Sequence, residues 1–314
     1  AMRNGVSRNG VLYPVFPYAQ FALLSDADIA AIFAYLRSLP ATAAKARDNE
    51  LSLPASWRPA LIGWRMLYFR VAAPAATRYP RGRYLVDGLG HCAMCHSARG
   101  SMESLPAAGY LAGGRIPGSG WYAPPLDGAQ LQRYSVQQLA DYLRSGSSIH
   151  GAAYGPMAEV IYGGLQALHE VDALAISRYL KSVPAHRTHS LVARAQWVSM
   201  PATSSANGAE IYRKHCSDCH GADGAGEQGK YPSLHSAVSM TAADPIDAVR
   251  MVLYGGLPPT TRENPQPFSM PPFVYRLSPA EIAAVVNFAR RSWGAQPSEL
   301  TASNIERMEG IVIE

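Results

Sequence analysis

The sequence predicts an all-α chain of tandem helical units, the first of them partial. Three observations carry this. One helical segment recurs three times, a Cys-x-x-Cys-His motif occurs in the second and third units but not in the first, and no stretch shows a convincing alternation of apolar and polar residues. The recurring segments are Leu24-Ser-Asp-Ala-Asp-Ile-Ala-Ala-Ile-Phe-Ala-Tyr35, Leu168-His-Glu-Val-Asp-Ala-Leu-Ala-Ile-Ser-Arg-Tyr179 and Leu277-Ser-Pro-Ala-Glu-Ile-Ala-Ala-Val-Val-Asn-Phe288. In each, Leu and the aromatic residue stand eleven positions apart, about three helical turns, so both fall on one face. Ser25 and Ser278 are predicted N-caps, with Asp28 and Glu281 three residues on. Pro40 and Pro184 are predicted to stop the first two helices.

Each such helix closes a unit. Residues 1–40 hold the end of a repeat but no Cys-x-x-Cys-His. Residues 41–78 read as a linker, with Pro54, Pro59 and Pro74 around Trp57, Trp64, Tyr68 and Phe69. Leu61, Trp64, Tyr68 and Val71 have helical spacing, which predicts a helix packed between domains; the rival is an anchor lying in a membrane interface. Residues 79–185 and 205–294 form the second and third units, joined by a linker at 186–204 and followed by an acidic tail at 295–314. Gly/Pro-rich stretches at 113–128 and 221–232 read as loops.

A chain of 314 residues suits two or three such units. It has no run of eighteen uncharged apolar residues and no apolar stretch behind Ala1-Met2-Arg3 that would mark a signal peptide, so the start reads as mature, trimmed or incomplete. The net charge of +5 invites a nucleic-acid reading, but the excess lies in residues 1–80 and 186–204, without the clustered basic and aromatic residues of a binding stripe.

All four cysteines sit in two motifs, Cys92-Ala-Met-Cys95-His96 and Cys216-Ser-Asp-Cys219-His220. This pattern reads as covalent attachment of two c-type haems. Two thiols three positions apart can reach both vinyl groups of one porphyrin, and the adjacent His becomes the proximal iron ligand. A zinc site would pair its Cys-x-x-Cys knuckles about 15–20 residues apart, whereas these lie about 120 apart. A thioredoxin-like motif would need a βαβ context. Met157 and Met270 are the candidate sixth ligands, 61 and 50 residues after His96 and His220, each beside a proline and each before a closing helix. His150, His169 and His235 are rivals, and Met94 stands too close to its own motif. Pro124-Pro125-Leu126 and Tyr231-Pro232-Ser233-Leu234 follow each proximal His; a backbone carbonyl there is expected to accept the proton of the imidazole and fix its tautomer. In the first unit Phe16 stands where the others have Met, so that unit holds no haem of this type. Haem is attached to reduced thiols on the outer side of the bacterial inner membrane, which predicts a periplasmic protein.

The arrangement resembles the multihaem cytochrome c subunits of bacterial periplasmic dehydrogenases acting on alcohols, gluconate, aldehydes or nicotinate-like rings. The matching stretches are Gly5-Val-Ser-Arg-Asn-Gly10, Tyr13-Pro-Val-Phe-Pro-Tyr18, Gly88-Leu-Gly-His-Cys-Ala-Met-Cys-His96, Gly120-Trp-Tyr-Ala-Pro124, Gly155-Pro-Met-Ala-Glu-Val160 and Met270-Pro-Pro-Phe-Val-Tyr-Arg-Leu277. The resemblance implies tandem class I cytochrome c domains, with residues 1–40 the back half of a first domain whose haem motif is absent. It implies a catalytic partner subunit of flavin, quinone-cofactor or molybdenum type, a quinone or terminal oxidase as acceptor, and association with the inner membrane. No nucleophile motif accompanies the haem motifs, so the chain alone is expected to oxidise no organic substrate. The alternatives are a free-standing dihaem carrier and a haem peroxidase, the latter needing one iron with an open or displaceable ligand.

Overall fold

A computed structural model describes residues 1–8, 10–43, 56–70, 79–186, 205–227, 230–235, 237–294 and 299–309. These form two compact bodies, Ala1–Met94 with Gly100–Leu105, and Cys95–Arg99 with Pro106–Glu314. Most of the structure is helical. The only strands among the described residues are three two-residue antiparallel pairs, β1–β2 (Val6–Ser7, Gly10–Val11), β3–β4 (Gly114–Arg115, Tyr122–Ala123) and β5–β6 (Ser147–Ser148, Gly151–Ala152). Two residues are too few for any alternation to show in sequence.

The first body begins with α1 (Tyr18–Phe21) and α2 (Asp26–Ser38). Ser25 caps α2, accepting the Asp28 N–H at 3.0 Å and donating its hydroxyl to Asp28 at 2.8 Å. The Tyr84 hydroxyl accepts the Ser25 N–H at 3.0 Å and donates to Asp28. Leu24 is fully buried, and Gly88 lies so close that a Cβ there would meet it at 3.0 Å. Helix α3 (Arg58–Tyr68) has two apolar faces. Leu61 is buried and Trp64 packs on Tyr18 and Phe69, while Ile62, Met66 and Leu67 face solvent. Arg58–Tyr68 of the expected linker is thus helical; Val71, also assigned to that helix, lies outside the described residues. Helix α4 (Arg81–Tyr84) runs into a π-helical turn at Leu85–Leu89, which leads to the first Cys.

Helix α5 (Ala93–His96) is the single turn of the first motif. In the second body follow α6 (Gly128–Leu131), α7 (Val136–Ser145), α8 (Pro156–Gly163) and α9 (Glu170–Ser182). Helix α7 starts on a full capping box, Ser135 with Gln138, and stops at Gly146, whose φ of +73° suits glycine. Helix α9 buries Ala173, Ile176 and Leu180 and packs on α6 and α7. The last elements are α10 (Ser205–His215), α11 (Ser217–His220), α12 (Val238–Thr241), α13 (Ile246–Tyr254), α14 (Pro279–Trp293) and α15 (Ala302–Glu309). Helix α14 also opens on a capping box, Ser278 with Glu281, and packs on α10, α12, α13 and α15. Its Ile282 and Val286 are fully buried, each contributing about 1.5–3 kcal/mol of apolar burial. Residues 187–204, most of the expected second linker, lie outside the described residues, as do 295–298 and 310–314 of the tail.

Candidate haem centres

The first motif is led in by a tight backbone. Gly90 N–H donates to Leu85 O at 2.7 Å, and Cys92 N–H to Val86 O at 3.1 Å. On the next turn His96 is held by its surroundings. Its Nδ1 lies 2.7 Å from Pro124 O. A carbonyl only accepts, so Nδ1 carries the proton and Nε2 keeps its lone pair for a metal. Burial lowers the His96 pKa, which favours the neutral imidazole that ligation needs. The loop after His96 is fastened by Gly113 N–H to His96 O at 2.8 Å and by Leu111 N–H to Ser97 Oγ at 2.9 Å. Those bonds bring Pro124, 28 residues downstream, back to the ring.

The second motif repeats the device on a different scaffold. Helix α10 ends at His215, and Cys216 N–H still donates to Tyr212 O at 2.8 Å. His220 N–H donates to Cys216 O at 2.9 Å, so Cys216, Cys219 and His220 share one helical turn. His220 Nδ1 lies 3.1 Å from Pro232 O, and burial lowers its pKa as well. The return loop is short. Gly226 N–H donates to His220 O at 2.8 Å, and a Cβ on Gly226 would sit 2.4 Å from Tyr231 O. The expected proline carbonyl therefore accepts the imidazole proton in both motifs.

The two candidate methionines occupy different local structures. Met157 is the second residue of α8, behind Gly155 with φ +54°. A Cβ on Gly155 would lie 2.8 Å from the Trp121 ring, so this turn needs glycine. Met270 sits in a bridge with Gly256, the two exchanging hydrogen bonds of 2.8 and 3.0 Å. Both methionines are half-buried. Two of the rival histidines are hydrogen-bonded elsewhere and the third lies at an exposed helix start. His150 Nε2 lies 2.9 Å from Arg133 O, His235 Nε2 lies 2.6 Å from Asp223 O, and His169 is the exposed N-cap of α9. Met94 lies within the turn of its own motif. Phe16 makes an edge contact with Phe21 in the first body.

Each motif fits a c-type haem with two thiols and an imidazole whose lone pair is freed by a backbone acceptor. It does not fit thiol catalysis. Burial pushes the Cys95 thiol up and, with Cys219 beside it, the Cys216 thiol to about 11, opposite to an activated nucleophile. Among the described residues no three His, Cys, Asp or Glu side chains gather as a metal cluster.

One group of residues had no signal in the sequence. Arg115 pairs with the buried Asp244, Nε to Oδ2 at 2.6 Å, and Tyr122 N–H donates to Asp247 Oδ1 at 2.9 Å. Arg250, one turn along α13 from Asp247, lies over Trp121. These contacts fasten the loop before Pro124 to α13. They join residues more than a hundred positions apart, which no local pattern marks.

A family model described as cytochrome c matches residues 205–293. The chain is 37% identical over 319 residues to the gluconate 2-dehydrogenase cytochrome c subunit of Pantoea cypripedii, covering 94% of this chain and 72% of that one. It is 33% identical over 330 residues to the cytochrome c subunit of the quinone alcohol dehydrogenase of Gluconobacter oxydans, covering 98% and 69%. A dihaem cytochrome c-type protein of Cereibacter sphaeroides is 36% identical over 191 residues, covering 59% of this chain and 64% of its own length.

Proposed function

The chain belongs to the family of cytochrome c subunits of bacterial dehydrogenases, and from that premise we propose that it relays electrons from a dehydrogenase catalytic subunit to a quinone or terminal oxidase through two covalent haems. Cys92 and Cys95 form the thioethers of the first haem, Cys216 and Cys219 those of the second. His96 with Met157, and His220 with Met270, would hold the two irons. Bound haem supplies one-electron redox chemistry. The polypeptide supplies the rest: Pro124 and Pro232 fix the tautomer and aim of each imidazole, and a Met holding each iron would disfavour substrate chemistry there and so the peroxidase reading. By itself the chain then oxidises no organic substrate.

The observation that carries this reading is the matched pair of imidazoles, each with Nδ1 on the carbonyl of the proline that follows its motif. Residues 79–185 and 205–294 are proposed as tandem class I cytochrome c domains, and 1–40 as the closing part of a third without its haem motif. The proposed location is the periplasm, against the inner membrane. Among the described residues no helix is long and apolar enough to cross a membrane. The exposed face of α3, with Ile62 and Met66, offers a peripheral contact instead.

Intact mass tests the reading directly. Protein from a haem-maturing host should weigh the polypeptide plus two haems; a mass with one haem or none would overturn it. Met157→His or Met270→His should lower the midpoint potential of its own haem alone. Co-purification with a flavin, quinone-cofactor or molybdenum subunit supports the partner assignment, and a monomer with peroxide turnover sinks it.

A further inference from the structure

Two arginines of the second body are wholly removed from solvent, Arg250 on α13 and Arg290 on α14. Arg290 turns its guanidinium onto backbone carbonyls. Nη1 donates to Ser239 O at 3.0 Å and Met240 O at 3.1 Å, and Nη2 to Ala242 O at 2.7 Å. Arg250 has no equivalent. Its Nε, Nη1 and Nη2 are all buried, and none has a hydrogen-bond partner among the described residues.

Arg250 is covered by rings. Its guanidinium carbon lies 4.9 Å from the Trp121 ring centre and 5.5 Å from that of Tyr254. Such contacts use the flat face of the cation and leave the N–H edges unspent. A buried charge without hydrogen bonds is strongly unfavourable, so an acceptor belongs at those edges. The neighbouring acids do not supply it. Asp247 Oδ1 takes the Tyr122 N–H, and both oxygens of Asp244 take the Arg115 fork. Among the described residues none supplies an acceptor to those edges, which leaves them open to one from outside the polypeptide. The partner that matches a guanidinium fork, two donors to two oxygens, is a carboxylate.

The location says which carboxylate. Trp121 stands three residues before Pro124, the acceptor of His96, and its ring lies over Gly155, two residues before Met157. Tyr254 directly precedes Gly255 and Gly256, and Gly256 pairs with Met270. The guanidinium thus lies between segments that carry ligands of both proposed haems. Each haem brings two propionates.

We propose that Arg250 binds a propionate carboxylate of one of the covalent haems, a contact that also ties α13 to the haem-bearing halves on either side. This inference rests on the haem assignment above. The experiment uses the haem-loaded protein with both haems verified by mass. Arg250→Gln should lower the midpoint potential of the one haem it holds, because a cation near the iron disfavours the oxidised state, and leave the other unchanged. Arg250→Lys, which keeps the charge without the fork, should recover most of that shift, which a purely structural role would not predict. A crystal structure of the haem-loaded protein should show Arg250 nitrogens on propionate oxygens and identify the haem, and it stands even if Arg250→Gln fails to fold. Unchanged potentials in a fully loaded variant, or a structure with the guanidinium away from every propionate, would overturn the proposal. Loss of haem from the unaltered protein would instead overturn the assignment beneath it.

Discussion

Helices α2 and α14 begin alike. Each follows a buried Leu, Leu24 or Leu277, and a capping Ser, and each carries Ile five residues after that Leu. Their faces then diverge. On α14, Ile282 is 0% exposed, Val286 1%, and Phe288 packs on Tyr212 and Trp293. On α2 the equivalent Phe33 is 61% exposed and Tyr35 65%, and the helix buries none of its residues. The difference lies in the neighbours. Helix α14 is covered by α10, the helix that leads into a haem motif, and by α12, α13 and α15. Residues 1–40 hold no Cys-x-x-Cys-His and, among the described residues, no helix packs on α2 as α10 packs on α14. An amphipathic pattern states which face wants cover; it does not supply the cover.

The largest effect should separate the two helices outright. Ile282→Ala should destabilise the haem-loaded protein by about 2–5 kcal/mol in denaturant unfolding, because a closely packed site collapses poorly around the void. A cost within roughly 0.5 kcal/mol would mean that α14 is as bare as α2.

A second effect belongs to the buried interior that α2 lacks. Burial, first, and the nearby Asp244 raise the Asp247 carboxyl to about 7, against the opposing hydrogen bond from Tyr122 and the charges of Arg250 and Arg115. Its folded pKa lies above its unfolded one, so the native state binds the proton more tightly. Stability therefore falls as pH rises from the ordinary carboxylate range to about 7, then levels off. Asp247→Asn should match the parent near pH 4 and exceed it above pH 7, by at most about 4 kcal/mol at 1.36 kcal/mol per pKa unit. Thermal unfolding across that range checks the sign; parallel pH profiles would refute it.

Capping should not distinguish the helices. Ser25 and Ser278 each accept an N–H three residues on, so replacing either with Ala should cost about 1 kcal/mol. A clearly smaller loss at Ser25 would show that α2 frays despite its tie to Tyr84. The smallest effect is expected at the exposed face itself. Phe33→Ala should change stability by no more than roughly 0.5 kcal/mol. A larger loss would show that the face is covered by a partner in solution.

Much of the candidate site was legible because its chemistry is local. Thioether attachment demands two Cys three apart with His adjacent, and a proline soon after offers a backbone acceptor. The closing helices were legible from caps, prolines and an eleven-residue spacing. Other features were not. Gly155 must be glycine because Trp121, 34 residues away in sequence, fills the space where its Cβ would go. Arg290 reads as a charged end of a helix, yet it is fully buried and gathers the carbonyls of Ser239, Met240 and Ala242. Arg250 looks like any surface arginine of an amphipathic helix until the fold lays Trp121 across it.

The sequence by itself determined the two Cys-x-x-Cys-His motifs, the recurring helical segment and the family, since each rests on residues within a few helical turns or on direct likeness. Only the tertiary structure decided which repeated helix is covered, which proline carbonyl meets each imidazole, and which arginine is buried without an acceptor. Those outcomes depend on elements brought together across tens to more than a hundred residues, and burial, which sets the value of a hydrogen bond or a charge, exists only once they meet.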